Sequence, residues 1–434
     1  MIGVDKAHDD SDGEITEAEK NELKLLPEEP ASVVLADQDY LDRAKELLSV
    51  NTGIDIHVDS SKEINGGAFS KNYVVYEVKG HDKNGQINVS RRYREFDALR
   101  NKLKQNWPGI FIPSIPEKKA VNNSDVTAHR MLFLDHFLKK CAKLDHIFYS
   151  EEMQLFLRAT GGDDLVKTLD AIPARTCSAV LNQYKVLFPG FDADSCNKEL
   201  EEKVDKKIQA LKACLEEVKG MRKNLKIMRE YRQSLKTMKA DMAMLVAHHA
   251  FGKVKDKAVQ EELNGKVKQY QDVEKKEDIK HLLWNLKILR RDLESFLLLP
   301  ADIAAINKKI QQQTTLVNET SQQYHNIKVS DKDVVSDGLF KKVPKEAKLA
   351  ELDKVLDTAK EEQHAATLLH KLLYVLLDKR EIPMIVYVKN NDLADGIMEL
   401  SKQRTEALNR EMETLDLFVK EIDETAANTP TNAI

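Results

Sequence analysis

The chain has 434 residues, of which 42% are hydrophobic and 32% charged, and its formal net charge is −5 at pH 7. This composition is typical of a soluble protein rich in helix-forming residues, and the length exceeds that of one ordinary domain. No apolar run approaches the roughly 18 residues that a membrane span needs, and the acidic amino terminus does not resemble a signal peptide. We therefore expect a cytoplasmic protein without a membrane-spanning helix.

The charge is distributed unevenly along the chain. Residues 1–50 carry 5 basic and 14 acidic residues, whereas residues 51–162 carry 17 basic and 13 acidic residues. An acidic segment with few aromatic residues is typical of disorder. We predict that residues 1–50 form a disordered tail and that residues 51–162 form a basic domain.

Residues 51–162 show the patterns of a small α+β domain. Alternating β-forming residues predict three antiparallel strands at Ile54–Val58, Tyr73–Val78 and Gln86–Tyr93. Asn84-Gly85 is the expected hairpin turn between the last two strands. Apolar residues at helical spacing predict helices at Arg94–Asn106, Asp125–Lys143 and His146–Ala159.

Three basic motifs follow one another within this domain. Arg91-Arg92-Tyr93 ends the third predicted strand, Pro113 to Lys119 forms a proline-rich loop after the first helix, and Arg130 lies in the second helix. Arginine presents a planar fork of donors that matches phosphate oxygens in pairs, and lysine adds a point charge. An adjacent tyrosine offers a flat apolar face for a sugar ring. Taken singly, each motif is more often a solvated strand end or a simple turn.

In this order and spacing, the three motifs resemble those of the PX domain, the phosphoinositide-binding module of sorting nexins. The resemblance implies that Arg92 binds the 3-phosphate, Tyr93 forms the floor under the inositol ring, Lys118 meets the 1-phosphate and Arg130 holds the 4- and 5-hydroxyls. Phosphatidylinositol 3-phosphate is therefore the implied ligand. Arg91 and Arg94 alternate away from Arg92 along the strand, so we expect solvated or structural roles for them.

Apolar residues of the proline-rich loop have two interpretations. They either dip into the bilayer interface or pack in the ordinary way against the sheet. The residues concerned are Ile110, Phe111, Ile112 and Ile115.

Beyond residue 162 the sequence predicts an elongated all-α region. A first helical tract, Asp194–Phe251, carries apolar residues seven positions apart, and a second tract, Asp256–Lys328, has Pro300 as a kink. A loop near Ser330–Pro344 leads to a third tract that starts near Glu346, is interrupted around Pro383 and resumes from Asp392 to Ile422. Heptad seams need a partner helix. The heptad positions of the first tract are Val204, Leu211, Val218 and Leu225, and then Met221, Met228, Leu235 and Met242.

A PX module followed by three long helices resembles the sorting nexins whose second half is a BAR domain. We accordingly assign residues 193–425 to a BAR-like dimerisation domain, residues 163–192 to an amphipathic linker helix, and residues 426–434 to a flexible end. The alternative is a plain coiled coil that serves as a spacer. The linker helix either wedges into the outer leaflet or packs on the bundle.

A basic stripe on the first tract favours the BAR interpretation. Its members lie three, four or seven residues apart, so much of the charge shares one face, which would suit contact with anionic lipid or plain solvation. The members are Arg222, Lys226, Arg229, Lys236 and Lys239.

No catalytic signature stands out. The sequence lacks a phosphate-cradling glycine loop, a His-Glu-x-x-His motif and a nucleophile elbow, and its four cysteines show no metal or redox spacing. Basic residues are balanced by acids across the chain, which disfavours nucleic-acid binding. We therefore expect no enzyme activity, no cofactor and no metal site.

The sequence as a whole predicts a peripheral membrane protein on the cytosolic face of endosomes. It would bind phosphatidylinositol 3-phosphate, form a homodimer or a heterodimer with a related sorting nexin, and sense or impose curvature, with trafficking complexes as further partners. The alternative function is a PX-anchored coiled-coil adaptor that recruits a protein without bending the membrane.

Overall fold

A computed structural model describes residues 53–65, 72–118, 124–251, 279–331, 333–337 and 341–427, with a few single positions between 42 and 48 and between 257 and 265. Apart from those single positions, the predicted acidic tail, residues 1–50, lies outside the described residues, as does most of the predicted flexible end, residues 426–434. Within the described part, no helix combines the length and the apolar character needed to cross a bilayer.

The sheet near the amino-terminal end contains three antiparallel strands in the order β1-β2-β3. They are β1 Asp55–Ile64, β2 Tyr73–Asp82 and β3 Gly85–Arg92. The turn between β2 and β3 lies one residue earlier than predicted, because Asp82 pairs with Gly85 and leaves Lys83 and Asn84 at the tip. The Asp82 carboxylate accepts a hydrogen bond from the Asn84 backbone N–H at 2.8 Å, which is the local bond that aspartate favours in turns.

Four helices complete this α+β domain. They are α1 Tyr93–Asn106, α2 Ser124–Ala142, α3 Asp145–Phe148 and α4 Glu151–Arg158. The core is aromatic: the Phe96 ring of α1 lies 4.8 Å from the Phe156 ring and 6.5 Å from the rings of Tyr76 and Phe137, measured between centroids. The single helix predicted at His146–Ala159 is divided into α3 and α4, because Ser150 caps the second one.

A long helical region follows, so the predicted fold class is confirmed. Its helices are α5 Asp163–Ala171, α6 Cys177–Leu187, α7 Lys198–Phe251, α8 Lys280–Phe296, α9 Leu299–Val329, α10 Lys345–Leu376 and α11 Ile382–Ala427. The predicted start of the second tract, near Asp256, lies outside the described residues.

Both prolines of the long helices act differently from expectation. Pro300 lies in the first turn of α9, where a missing N–H costs nothing, so the chain has a helix boundary there instead of a kink. At Pro383 the helix does not stop: a π-helical turn, Leu377–Glu381, joins α10 to α11. A π-turn shifts the hydrogen bonds by one residue and so accommodates a proline without ending the helix.

The segment predicted as a loop near Ser330–Pro344 contains a small hairpin. Strands β4 Val334–Asp337 and β5 Lys341–Pro344 pair antiparallel between α9 and α10. The Lys345 backbone N–H donates to the Asp333 carbonyl oxygen at 2.8 Å. This bond ties the start of α10 to the start of the hairpin.

The chain divides into two compact units. The first contains Ala31–Ala213 and Arg291–Val388, and the second contains the remaining segments, including Cys214–Arg290 and Lys389–Ile434. In the second unit α8 and α11 approach closely at Gly396, where a Cβ would lie 2.8 Å from Leu282 Cδ1. A larger residue at this position would require the Leu282 side chain to move.

In the first unit, the α+β domain packs directly on helical segments that come much later in the chain. The Phe111 and Phe296 rings lie 5.9 Å apart, and Gly109 lies against the Leu373 side chain of α10. Ile110 and Ile112 are each only 2% exposed. The loop that follows α1 is therefore an internal joint of this unit.

Candidate functional site

Arg91 and Arg92 at the end of β3 have different environments. Arg91 is 1% exposed, and its guanidinium donates to the carbonyl oxygens of Phe156 at 2.7 Å and Ala159 at 2.6 Å. Burial lowers the pKa of Arg91, and the Glu95 carboxylate opposes that shift. Arg91 therefore holds α4 onto the sheet, which agrees with the structural role expected for it.

Arg92 is half-buried on the opposite face of the strand. Its guanidinium carbon lies 3.9 Å from the centroid of the Tyr73 ring on β2, a stacked cation–π arrangement. Its backbone N–H donates to the Glu95 carboxylate, which caps the start of α1. The side chain is thus held in position by a ring instead of a salt bridge, so it can present its donors to an anion.

Tyr93 and Arg130 come together next to this strand end. The Arg130 guanidinium carbon, on α2, lies 4.9 Å from the Tyr93 ring centroid. The Tyr93 hydroxyl donates to the carbonyl oxygen of Pro116. Burial raises the pKa of Tyr93 to about 12, followed by the effect of Asp97. Tyr93 is therefore a neutral, oriented ring that links α1, α2 and the proline-rich loop.

Lys118 lies two residues beyond the Pro116 carbonyl and is exposed. Its neighbour Lys119 lies outside the described residues. Glu117 pairs with Arg291 of α8 at 2.6 Å, which anchors the residue just before Lys118. The structure therefore brings Tyr93, Arg130 and the loop that carries Lys118 together, and it places the Arg92 side chain against the Tyr73 ring of β2.

The apolar residues of the proline-rich loop do not fit membrane insertion as a group. Ile110 and Ile112 are buried, while Phe111 and Ile115 are half-buried. The loop contacts α8, α9 and α10: the Phe111 ring lies 5.9 Å from that of Phe296, and Gly109 lies against Leu373 and donates to Asp302. The bilayer interpretation is wrong for Ile110 and Ile112 because these side chains already fill the joint of the first unit.

The predicted basic stripe on α7 is only partly available. Arg222 is 5% exposed, Lys226 is half-buried and Arg229 is exposed. The side chains of Lys236 and Lys239 lie outside the described residues. The prediction that Arg222 contacts lipid is wrong, because its guanidinium is buried and does not reach a lipid surface.

Helix α6 packs on its neighbours, which agrees with one of the two interpretations of the linker helix. Cys177, Val180, Leu181 and Tyr184 form its buried face. The Glu362 carboxylate of α10 accepts the backbone N–H groups of Cys177 at 2.5 Å and Ser178 at 3.1 Å. The other end of the helix is more open, with Val186 strongly exposed.

The residues that sequence reasoning missed are the acids that hold the proline-rich loop: Asp292, Asp302 and Glu381. They lie 178 to 270 residues from the loop atoms that they bind. Acids on helices are common, and no local spacing marks these three. A pairing over such sequence distances gives no signal in a single sequence.

The comparisons with known proteins agree with this geometry. The PX domain family model matches residues 79–160. Sorting nexin-41 of Yarrowia lipolytica is 32% identical over 99 residues, covering 20% of this chain and 17% of the relative. Sorting nexin-30 of Xenopus tropicalis is 33% identical over 98 residues, covering 20% and 22%. Sorting nexin 1 of Arabidopsis thaliana is 39% identical over 75 residues, covering 16% and 19%.

The chain thus spans about a fifth of the length of the curated relatives that it matches. Among solved structures, the SNX-BAR Mvp1 tetramer is similar at a TM-score of 0.47 and 15% identity, covering 84% of this chain and 99% of that one. A designed CISK-PX domain is similar at a TM-score of 0.23 and 21% identity, covering 24% of this chain and 99% of that one. The family-model match lies within the α+β part, so the PX prediction is confirmed there.

Proposed function

We propose that this chain, which carries a PX domain related to those of sorting nexins and a long helical region behind it, is a peripheral membrane protein that binds phosphatidylinositol 3-phosphate. The observation that carries the proposal is the convergence at Tyr93. The Arg130 guanidinium lies over its ring at 4.9 Å, its hydroxyl bonds the proline-rich loop, and Arg92 precedes it in the chain.

The chemistry of these groups suits a phosphorylated sugar. The Arg92 guanidinium offers paired donors for phosphate oxygens, the Arg130 guanidinium, only 6% exposed, adds positive charge beneath the site, and the neutral Tyr93 ring offers an apolar face. Arg92 and Arg130 each stack on a tyrosine ring, at 3.9 Å and 4.9 Å. Because stacking fixes the side chains before a ligand arrives, less conformational entropy is lost on binding. Lys118 would add a mobile charge at the rim.

The deciding experiment is vesicle pelleting with the full chain and the Arg92→Ala variant. Vesicles of phosphatidylcholine with a few mole per cent of phosphatidylinositol 3-phosphate should bind the wild-type chain, and Arg92→Ala should lower the affinity by at least about tenfold because a charged phosphate contact is lost. Thermal unfolding should be nearly unchanged. A variant that binds like the wild type would contradict the assignment of Arg92.

Lys139→Ala is the matched control. Lys139 lies on α2, the helix that carries Arg130, and pairs on the surface with Asp135 at 2.8 Å. The Lys139→Ala variant removes one positive charge from the same domain, at a position away from Tyr93. If Lys139→Ala weakens binding as much as Arg92→Ala, the interaction depends on overall charge and not on a site. Vesicles with other phosphoinositides, compared at equal charge, test the lipid preference.

We further propose that the helical region mediates self-association. Exposed apolar residues of α7 lie four and three residues apart in alternation, which is the heptad spacing of a helix that packs on a partner helix. They are Tyr231, Leu235, Met238, Met242 and Leu245. Two PX sites on one dimer would make the second lipid contact intramolecular and lengthen membrane residence. The partner would be a second copy or a related sorting nexin.

In the BAR interpretation such a dimer acts on endosomal membranes by sensing or imposing curvature. Arg229 and Lys226 of α7 would then contact anionic lipid, with Lys236 and Lys239 further along the same helix. The adaptor alternative would use the same α7 seam to recruit a protein partner. Electron microscopy of the vesicles separates the two: tubules support the BAR function, whereas bound but unchanged vesicles support the adaptor.

A further inference from the structure

Residues 109–118, which include the described part of the proline-rich loop, are held by three carboxylates from the helical segments of the first unit. Asp302 of α9 accepts from the Gly109 N–H at 2.9 Å, and Glu381 of the π-helical turn accepts from the Phe111 N–H at 2.9 Å. Asp292 of α8 accepts from both the N–H and the hydroxyl of Ser114, at 3.2 Å and 2.9 Å. We call these three acids the clasp.

The carbonyl oxygens of the same loop are held as well. Ser295 of α8 donates its hydroxyl to the Ile112 carbonyl oxygen at 3.0 Å. The Arg100 guanidinium donates to the Pro113 carbonyl oxygen at 2.8 Å and to the Ser295 hydroxyl at 2.6 Å. Since residues 111–118 have no helix or strand of their own, these side-chain bonds determine the path of the loop.

Asp292 differs from the rest of the clasp because it also binds α2. Its second carboxylate oxygen lies 2.5 Å from Lys140 Nζ and 3.4 Å from His136 Nε2. Burial acts to raise the pKa of Asp292, but the Lys140 ammonium and His136 hold it well below its ordinary value. A charged carboxylate of 0% exposure thus bridges the loop that carries Lys118 and the helix that carries Arg130.

We propose that Asp292 is a positioning residue for phosphoinositide binding. By holding Ser114 and Lys140 on one carboxylate, it fixes the spacing between the two halves of the headgroup site at Tyr93. The helical region therefore helps to determine the geometry of the lipid site, because Asp292 belongs to α8. This inference rests on the proposed function, because it assumes that Lys118 and Arg130 meet one headgroup.

The test is Asp292→Asn in the full chain. Asparagine keeps the shape but loses the charge that pairs with Lys140, so the loop and α2 are no longer held by one anion. We expect the affinity for phosphatidylinositol 3-phosphate vesicles to fall about tenfold, in the range of coupling between sites. Soluble inositol 1,3-bisphosphate, titrated by calorimetry, should show the same loss and so exclude a general membrane effect.

Asp378→Asn is the matched control. Asp378 is also an almost fully buried carboxylate of the first unit, 2% exposed, but its ion pairs are with Lys207 at 2.9 Å and Lys203 at 3.5 Å, both on α7. Both variants should lose stability, and only Asp292→Asn should lose lipid affinity when measured well below the unfolding temperature. Equal losses of affinity in the two variants would reduce Asp292 to a structural residue and overturn the proposal.

Ser114→Ala supplies a gentler probe should Asp292→Asn fail to fold. It removes one of the two bonds from the loop to Asp292 and leaves the pair with Lys140 intact, so we expect a two- to fourfold loss of affinity together with faster hydrogen exchange at residues 109–116. Wild-type affinity in Ser114→Ala would count against the proposal. If the wild-type chain binds neither these vesicles nor inositol 1,3-bisphosphate, the proposed function itself is wrong. This result differs from wild-type affinity in the variants, which would contradict only the role of Asp292.

Discussion

Arg91 and Arg92 are adjacent in the sequence, yet strand alternation sends their side chains to opposite faces. Arg91 is buried and satisfied by three backbone carbonyl groups, whereas Arg92 lies over the Tyr73 ring. The first therefore contributes to folding and the second is free to contribute to binding. The periodicity of a strand was enough to predict this division, although not the partners of Arg91.

This division gives a prediction about stability. Arg91→Ala should lower the free energy of unfolding by about 3 kcal/mol, since three charge-assisted hydrogen bonds to backbone carbonyl oxygens are lost. Arg92→Ala should lower it by less than about 1 kcal/mol, because only a stacked contact is lost. Urea unfolding followed by circular dichroism measures both. Equal losses in the two variants would show that the two arginines share one structural role.

At the scale of the secondary-structure elements, the first part of the chain was predicted well because its signals are local. The strands and α1 have clear periodicity, and the hairpin turn was wrong by one residue. The π-helical turn at Leu377–Glu381 was missed because proline normally ends a helix, and only packing on both sides keeps this one continuous. The β4–β5 hairpin was missed because each strand has only four residues.

The candidate site likewise contains residues that local motifs predict and residues that only the packing of distant segments brings in. Arg92, Tyr93, Lys118 and Arg130 could be proposed from the sequence because they belong to motifs within about forty residues of one another. The clasp could not be found, because Asp292, Asp302 and Glu381 meet the loop only after the helices have packed. For Ile110 and Ile112 the sequence left bilayer insertion and ordinary packing open for the same reason: the segments that contact this loop at Gly109 and Phe111 lie much later in the chain.

Helix α6 offers a prediction at the element scale. Glu362 accepts two N–H groups in the first turn of α6, and Thr176 accepts a third, from Ala179, at 3.1 Å. Glu362→Ala should weaken the docking of α6 on α10 by about 1 kcal/mol, the usual cost of losing a helix cap. Hydrogen–deuterium exchange should then be faster at residues 177–188.

The exposed neighbour Glu361 provides the control for this experiment. Glu361→Ala removes the same charge from the same turn of α10, where no cap is formed in the structure described. Exchange at residues 177–188 should stay at the wild-type rate. If both variants loosen α6 equally, the effect comes from the charge of α10 and not from the cap. Stronger vesicle binding by Glu362→Ala would support a membrane role for the released helix.

At the scale of the whole molecule, the first unit is assembled from segments far apart in the chain, and His146 lies where three of them meet. Its ring is 5.5 Å from those of Trp107 and Phe188, and its Nε2 is 3.4 Å from the Arg380 guanidinium. Trp107 directly follows α1, Phe188 directly follows α6, and Arg380 belongs to the π-helical turn. A proton on His146 would place a second charge beside Arg380 in a buried joint.

This position makes the stability of the whole chain dependent on pH. Burial, followed by the Arg380 charge, lowers the pKa of His146 from 6.5 to about 3. Below pH 6.5 the His146 imidazole binds a proton in the unfolded chain but not in the folded chain. The free energy of unfolding therefore decreases as the pH falls, by about 2 kcal/mol between pH 7.5 and pH 5. His146→Phe keeps a ring between Trp107 and Phe188 but cannot titrate. Urea midpoints measured at both pH values should therefore decrease less in the variant than in the wild type. Other titrating groups are common to the two proteins and cancel in that difference, so parallel pH curves would mean that His146 is already charged in the folded chain or plays no part in the joint.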